Sequence, residues 1–184
     1  MILLIAGVVL FSLAHLAHRV MPGLCALLPV LLRKVLVAVM LVLSIWMMGR
    51  GYSEASADVL WTVPKAVRMV AIFLMAAAFI LFFSTHPGAA LSARMRHPQL
   101  TGFKLWAILH TLVNGDVRSV VLFGGLLIWA ILSVIIINKQ TGKPPLPAES
   151  DNSLKAWMAV PLGLAVWVAV FAGHEWLFGV SPIG

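Results

Sequence analysis

Long uncharged apolar stretches decide what this chain can fold into. Of its 184 residues, 62% are hydrophobic and 10% are charged, whereas a soluble domain is typically about half apolar and a quarter charged. Most of the stretches approach the roughly 20 residues that a helix needs to cross a bilayer. The composition excludes a water-soluble globule and predicts an all-α, polytopic integral membrane bundle of about six transmembrane helices. The uncharged stretches cover residues 1–18, 35–49, 69–93, 105–115, 119–138 and 156–174.

Turn and capping residues between these stretches set the ends of the predicted helices. The first helix lacks the basic start of a signal peptide, so we expect it to remain in the mature protein. The whole chain is interpreted as a single transmembrane domain, residues 1–184, with a polar, Pro-rich linker at about 140–154. The six helices are predicted at about 1–19, 30–49, 66–87, 101–115, 117–138 and 155–178.

The fourth predicted helix is unusually short. Only eleven residues separate Lys104 from Asp116, which corresponds to about 16 Å of helix. We therefore expect neighbouring helices or a bound ligand to shelter it. Gly115 favours a left-handed end to this helix, and Asp116 favours capping of the next one. The fourth and fifth helices are thus predicted to form a tight hairpin.

Basic residues outnumber acidic ones by 13 to 6 and lie mostly between the apolar stretches. This arrangement is typical of topology signals rather than of a nucleic-acid surface. The first, third and fifth loops hold nine basic residues and the other loops hold four. The positive-inside rule therefore predicts that the odd loops face the cytoplasm and that both termini face out. The single cysteine, Cys25, excludes an internal disulfide, a thiolate metal cage and an iron–sulfur cluster.

Histidines are the ionisable residues that fall within the long uncharged stretches. His15 lies four residues before Arg19 and His110 lies six residues after Lys104, so both are predicted about 6 to 9 Å from the cytoplasmic boundary. An ionisable residue inside a membrane helix is costly and points to a function, while a neutral histidine bonded to a carbonyl is the structural alternative. Of the other histidines, His174 is expected near the opposite surface, and the ones near the same face are His18, His86 and His97.

The side chains of this region that could bind a metal ion suit haem. A non-haem iron triad needs a carboxylate, and none occurs in residues 1–53 or 59–115. Two imidazoles without carboxylate or thiolate suit axial ligation of haem iron, with copper and zinc as alternatives. Trp106, four residues before His110, can pack on a porphyrin or on a neighbouring helix. Haem propionates can pair with basic residues at the membrane interface. The positive-inside rule alone also explains basic residues at this position. These residues are Arg19, Arg94, Arg96 and Lys104.

Several motifs resemble the NnrU family of bacterial membrane proteins. NnrU proteins are similar to zeta-carotene isomerase, an integral membrane enzyme that uses haem b. The resemblance implies that a histidine at the end of the first helix and one after the RHPQ segment bind haem b, here His15 and His110. The isomerase has a cysteine three residues before the second histidine, where this chain has Ala107. The motifs are Leu13-Ala14-His15, Arg96-His97-Pro98-Gln99-Leu100-Thr101-Gly102, Lys104-Leu105-Trp106-Ala107, Asn114-Gly115-Asp116 and Leu122-Phe123-Gly124.

The resemblance implies a protein of the bacterial inner membrane, and the positive-inside rule then makes both termini periplasmic. It favours a redox-dependent isomerase acting on a polyene or carotenoid-like substrate that enters from the lipid, with an unidentified electron donor. The alternative is a haem-based accessory or sensor protein in nitric oxide and nitrite metabolism, that is, in denitrification. A transporter ranks last, because the helices show neither a carboxylate relay nor an internal repeat.

No catalytic residue is assigned from the sequence. The metal ligands are predicted to be His15 and His110, and either His18 or His97 is an alternative to one of them. The expected partners are the lipid bilayer and a hydrophobic small molecule or nitric oxide, without nucleic acid. The residues predicted to surround the cofactor are His15, His110, His18, His97, Arg19, Arg96 and Trp106.

Overall fold

The computed structural model describes residues 1–84, 91, 94–142 and 154–183. Within these ranges the protein is all-helical, and each of the six predicted helices is present. A single turn of 3₁₀ helix, Leu154–Trp157, precedes the last helix. The helices are α1 (Ile2–Val20), α2 (Pro22–Ala26), α3 (Val30–Glu54), α4 (Lys65–Phe83), α5 (Pro98–Asn114), α6 (Val117–Thr141) and α7 (Ala159–Phe178).

Five of these helices are long and apolar enough to cross a membrane, namely α1, α3, α4, α6 and α7. This finding confirms an integral membrane protein. The helix α5 has 17 residues and is shorter than these five, as expected, so its crossing stays a prediction. The predicted linker at about 140–154 falls mostly on residues 143–153, which lie outside the described residues, as does His86. The interpretation as a single domain likewise stays a prediction.

The extensive helix contacts run in the order α3, α1, α6, α5, α4, α7. Pairs of helices approach closely where glycine faces a neighbouring backbone. A Cβ atom on Gly51 of α3 would lie 2.7 Å from Leu4 Cα of α1, and one on Gly102 of α5 would lie 2.5 Å from the Ala78 carbonyl oxygen of α4. Because apolar side chains gain little by leaving lipid for protein, such close backbone packing is a main source of association between membrane helices.

The bundle has two ends, which we name after one residue each. At the Arg19 end, the Gln140 amide donates to the Arg19 carbonyl at 2.7 Å, and His97 Nε2 lies 3.0 Å from Asn138 Oδ1. The Gly115 end is the turn between α5 and α6. Helices α1 and α6 run in the same direction, because Val8 packs on Gly125 and Arg19 bonds Gln140.

The Gly115 end confirms the predicted hairpin. Gly115 has φ 65° and ends α5, and the Asp116 side chain accepts a hydrogen bond from the Ser119 amide at 2.7 Å. The segment between α3 and α4 closes over this turn, since the amides of Leu60 and Trp61 both donate to the Gly115 carbonyl. The turn is therefore held by tertiary hydrogen bonds as well as by its own capping.

Candidate functional site

His15 and His110 have the same local arrangement on two different helices. In each, ring nitrogen Nδ1 lies 3.0 Å from the carbonyl oxygen four residues earlier, that of Phe11 or Trp106. A carbonyl oxygen can only accept, so Nδ1 carries a proton, and in the neutral form of such a ring Nε2 carries the lone pair. Neither Nε2 has a hydrogen-bond partner among the described residues. In both histidines Nδ1 is therefore bonded to a carbonyl, and Nε2 is the ring nitrogen left for a ligand.

Each histidine ring also lies beside the aromatic ring four residues before it. The ring centroids are 4.2 Å apart for Phe11 and His15, and 4.7 Å apart for Trp106 and His110. On a helix, residues four apart share a face, so this contact follows from the local sequence. The His15 side chain is exposed at the surface of the bundle, whereas that of His110 is half-buried.

A continuous series of aromatic contacts connects the two histidines. The His15 ring lies 4.9 Å from Trp129, and Trp129 lies 5.1 Å from Phe103. Phe103 lies 5.3 Å from Trp106, which contacts His110. Because the series combines side chains of α1, α5 and α6, it exists only when these three helices pack together.

The series contains one unpaired polar group. Trp129 is 8% exposed, and its indole Nε1–H has no hydrogen-bond partner within the described part of the chain. A buried donor without a partner costs about 1 to 3 kcal/mol, so native proteins usually satisfy such groups with protein, water or ligand. Trp129 therefore marks the surroundings of His15 as a place where a polar ligand atom would be stabilised.

A π-helical turn shapes the other side of the series. Residues Val120–Gly124 of α6 are π-helical. The π-helix is rare in proteins, and where it occurs it is frequently at a functional site. The turn holds Phe123 with its ring centroid 4.6 Å from His110 and 5.2 Å from Trp106. The Tyr52 ring of α3 lies 6.5 Å from Phe123. The His110 ring is thus enclosed by aromatic side chains from two helices.

The heights of the two histidines differ by more than the sequence predicts. His15 contacts Trp129 and His110 contacts Phe123, which are six residues apart on α6, or about 9 Å. We expected a difference within one helical turn, taking Lys104 as the boundary of the fourth helix. The helix α5 instead begins at Pro98, six residues earlier, which places His110 farther from the Arg19 end.

The remaining predicted cofactor residues lie at the Arg19 end. His18 is exposed and, with Arg19, lines a cleft of about 320 Å³. Arg19 is already bonded to Gln140. His97 uses Nε2 to donate to the Asn138 side-chain oxygen, so that nitrogen is occupied. Arg96 is exposed and directly precedes His97. These residues do not belong to the aromatic series that connects His15 and His110.

His174 is a histidine whose neighbours the sequence did not reveal. Its Nδ1 donates to the Val180 carbonyl at 2.7 Å. Within residues 1–84, 91, 94–142 and 154–183, no group of three or more His, Cys, Asp or Glu side chains is placed to hold a metal ion.

The sequence matches the NnrU protein family over residues 3–182. The protein belongs to the NnrU family. No curated protein and no solved structure matches the chain. Within this NnrU protein, Trp129, Phe103 and Phe123 are the site residues that sequence reasoning missed. Nothing in the sequence distinguishes them from ordinary apolar packing, apart from the Leu122-Phe123-Gly124 motif of the resemblance.

Proposed function

We propose that this NnrU family protein binds haem b within the membrane, with His15 and His110 as the axial ligands of the iron. The observation that supports it is the matched pair of histidines at the two ends of one aromatic series, each with Nδ1 bonded to a carbonyl. Haem iron accepts an imidazole nitrogen as a ligand. A hydrogen bond donated by the other ring nitrogen orients the imidazole and raises the basicity of the ligating nitrogen. The Phe11 and Trp106 carbonyls provide that bond.

The chemistry of the surrounding residues fits this cofactor. The aromatic side chains offer flat apolar surfaces, and the unpaired Trp129 indole provides a donor for a polar atom of the ligand. Trp129, Phe103 and Trp106 lie between the two histidines, so joint ligation of one iron requires these rings to move apart. This rearrangement is part of the proposal. Arg19 and Arg96 are the proposed partners of the propionates.

We propose further that the protein is an isomerase-like enzyme for a hydrophobic polyene, in keeping with its resemblance to zeta-carotene isomerase. When bound, haem b would supply a redox-active iron held by these two histidines. The side chains of this protein exclude water from the region with aromatic rings and orient the histidines through backbone carbonyls. Because the His15 side is exposed, an apolar substrate can approach it from the bilayer.

The proposed topology has six crossings, including the short α5, in a bacterial inner membrane. Both termini are periplasmic and the Arg19 end is cytoplasmic. Two features support it. The described carboxylates of Glu54, Asp58 and Asp116 lie at the Gly115 end, and basic residues concentrate at the Arg19 end. This orientation is tested by substituting single residues of the α3–α4 segment with cysteine and measuring how a thiol reagent labels them in intact cells.

The visible absorption spectrum of the purified protein tests the cofactor. We expect His15→Ala and His110→Ala each to lose the low-spin haem spectrum, because each removes one axial ligand. Imidazole added to His15→Gly should restore it. His18→Ala and His97→Ala are matched controls that should keep the spectrum. The ligand assignment would be refuted if the spectrum survives in both His15→Ala and His110→Ala. It would also be refuted if His110→Ala and His174→Ala lose the spectrum while His15→Ala keeps it.

The isomerase proposal needs a separate measurement. Co-expression with a pathway that accumulates a cis polyene should shift its isomer profile toward trans, and His110→Ala should abolish the shift. An unchanged profile from haem-loaded protein would refute the enzyme proposal while leaving haem binding intact. A spectral change with nitric oxide and no turnover would favour the sensor function instead.

A further inference from the structure

A second site lies at the Arg19 end, away from the aromatic series. The end of α1, the short α2 and the start of α3 enclose a cleft of about 290 Å³, which we name the α1–α3 cleft. Its rim carries His18, Arg33 and Lys34, and its wall is apolar. The residues of the wall that matter here are Val37, Ala38 and Leu41.

The rim of the α1–α3 cleft carries uncompensated positive charge. Arg33 Nη1 donates to the Cys25 carbonyl at 3.4 Å, which holds the guanidinium at the cleft. Neither Arg33 nor Lys34 forms an ion pair with a carboxylate of the described residues. A site with two cations and no anion among the described side chains attracts an anionic ligand.

The wall of the cleft determines which kind of anion fits. Lys34, Val37, Ala38 and Leu41 are spaced i, i+3, i+4 and i+7 and therefore lie on one face of α3. The stripe runs about 10 Å from the charged rim along an apolar, membrane-spanning helix. A free phosphate would leave this wall unused. A charged headgroup continued by an acyl chain matches both parts of the cleft.

We propose that the α1–α3 cleft binds one anionic phospholipid, with the phosphate at Arg33 and Lys34 and an acyl chain along the α3 stripe. Basic pockets between membrane helices recognise lipid headgroups in this way. The site is independent of haem binding, since it shares none of the residues of the aromatic series. The lipid would fill the gap between α1 and α3 at their Arg19 ends and so hold the segment that follows His15.

Native mass spectrometry of the full chain in detergent tests the proposal, using phosphatidylglycerol and phosphatidylcholine with identical acyl chains. We expect the Arg33→Gln/Lys34→Gln variant to reduce the preference for phosphatidylglycerol by about 30-fold, at roughly fivefold per cationic group. The matched control is Lys65→Gln/Arg68→Gln at the start of α4, which removes the same charge elsewhere. That control should keep the preference of the wild type.

A second variant pair tests the apolar wall without changing charge. Ala38→Trp fills the cleft and should weaken the binding of both lipids, whereas Val39→Trp, one position along α3 and outside the cleft lining, should not. The proposal is overturned if the double variant keeps the lipid preference. It is also overturned if inorganic phosphate displaces the lipid while Ala38→Trp leaves binding unchanged, because the site would then be a phosphate site only.

Discussion

Two glycines of α3 offer a test of how α1 and α3 pack. Gly51 is buried, and a Cβ atom there would lie 2.7 Å from Leu4 Cα and 2.9 Å from the Leu3 carbonyl carbon. Gly49, two residues earlier on the same helix, is exposed, and its Cβ would have nothing within 4 Å. The substitutions Gly51→Ala and Gly49→Ala therefore add the same methyl group to opposite environments.

The expected magnitudes follow from two opposing effects. Replacing glycine by alanine inside a helix stabilises it by about 1 kcal/mol, and this gain applies at both positions. Forcing a methyl group into a packed contact costs about 1 to 3 kcal/mol, and the cost at Gly51 lies at the upper limit because the obstacle is backbone. We expect Gly51→Ala to lower the free energy of unfolding by about 2 kcal/mol and Gly49→Ala to raise it by up to about 1 kcal/mol.

Reversible unfolding in mixed detergent micelles, followed by far-UV circular dichroism during a titration with sodium dodecyl sulfate, measures both variants against the wild type. The two substitutions should differ by about 3 kcal/mol, with opposite signs. Equal stabilities of the two variants, or a Gly51→Ala protein more stable than the wild type, would show that α1 does not approach α3 as closely as described.

Two further substitutions test the site and the hairpin. Trp129→Phe removes a buried N–H that lacks a partner. We therefore expect the thermal stability of the haem-free protein to stay the same or rise, and its affinity for haem to fall. A less stable haem-free protein would mean that the N–H is already paired. Asp116→Ala removes the acceptor of the Ser119 amide and should lower the free energy of unfolding by about 1 kcal/mol. Asp116→Asn should retain most of this stability, and equal stability of the Ala and Asn variants in the same titration would contradict the capping role.

The helix ends show where local reasoning succeeded and where it did not. The hairpin at Gly115 and the cap at Asp116 were predicted, because both depend on the conformation of one or two residues. The helix α3 continues to Glu54, five residues past its predicted end. Its glycines favour an earlier end, but Gly51 packs under Leu4 and Arg50 pairs with Glu54 at 2.6 Å, so the helix is stabilised beyond them. Helix α5 begins earlier than expected, since Pro98 occupies its first turn, where proline is tolerated.

The candidate site likewise contains some contacts that the local sequence predicts and others that it does not. The pairing of Trp106 with His110 was predictable, because residues four apart on a helix share a face. The contact between Trp129 and His15 was not, because the two residues are more than a hundred positions apart in the sequence. Lys104, taken as the membrane boundary, predicts similar depths for His15 and His110, whereas their contacts on α6 lie six residues apart and α5 begins six residues before Lys104.

The sequence by itself determined that this protein is a helical membrane protein, where its long described helices lie, and the turn at Gly115. It could do so because a helix in a bilayer satisfies its backbone hydrogen bonds internally, so its presence depends on its own residues. Only the tertiary structure decided the order of the helices, the contact of Trp129 with His15 and the π-helical turn that holds Phe123 against His110. The physical reason is that lipid and protein interior are equally apolar, so hydrophobicity does not reveal which face of a membrane helix meets its neighbour.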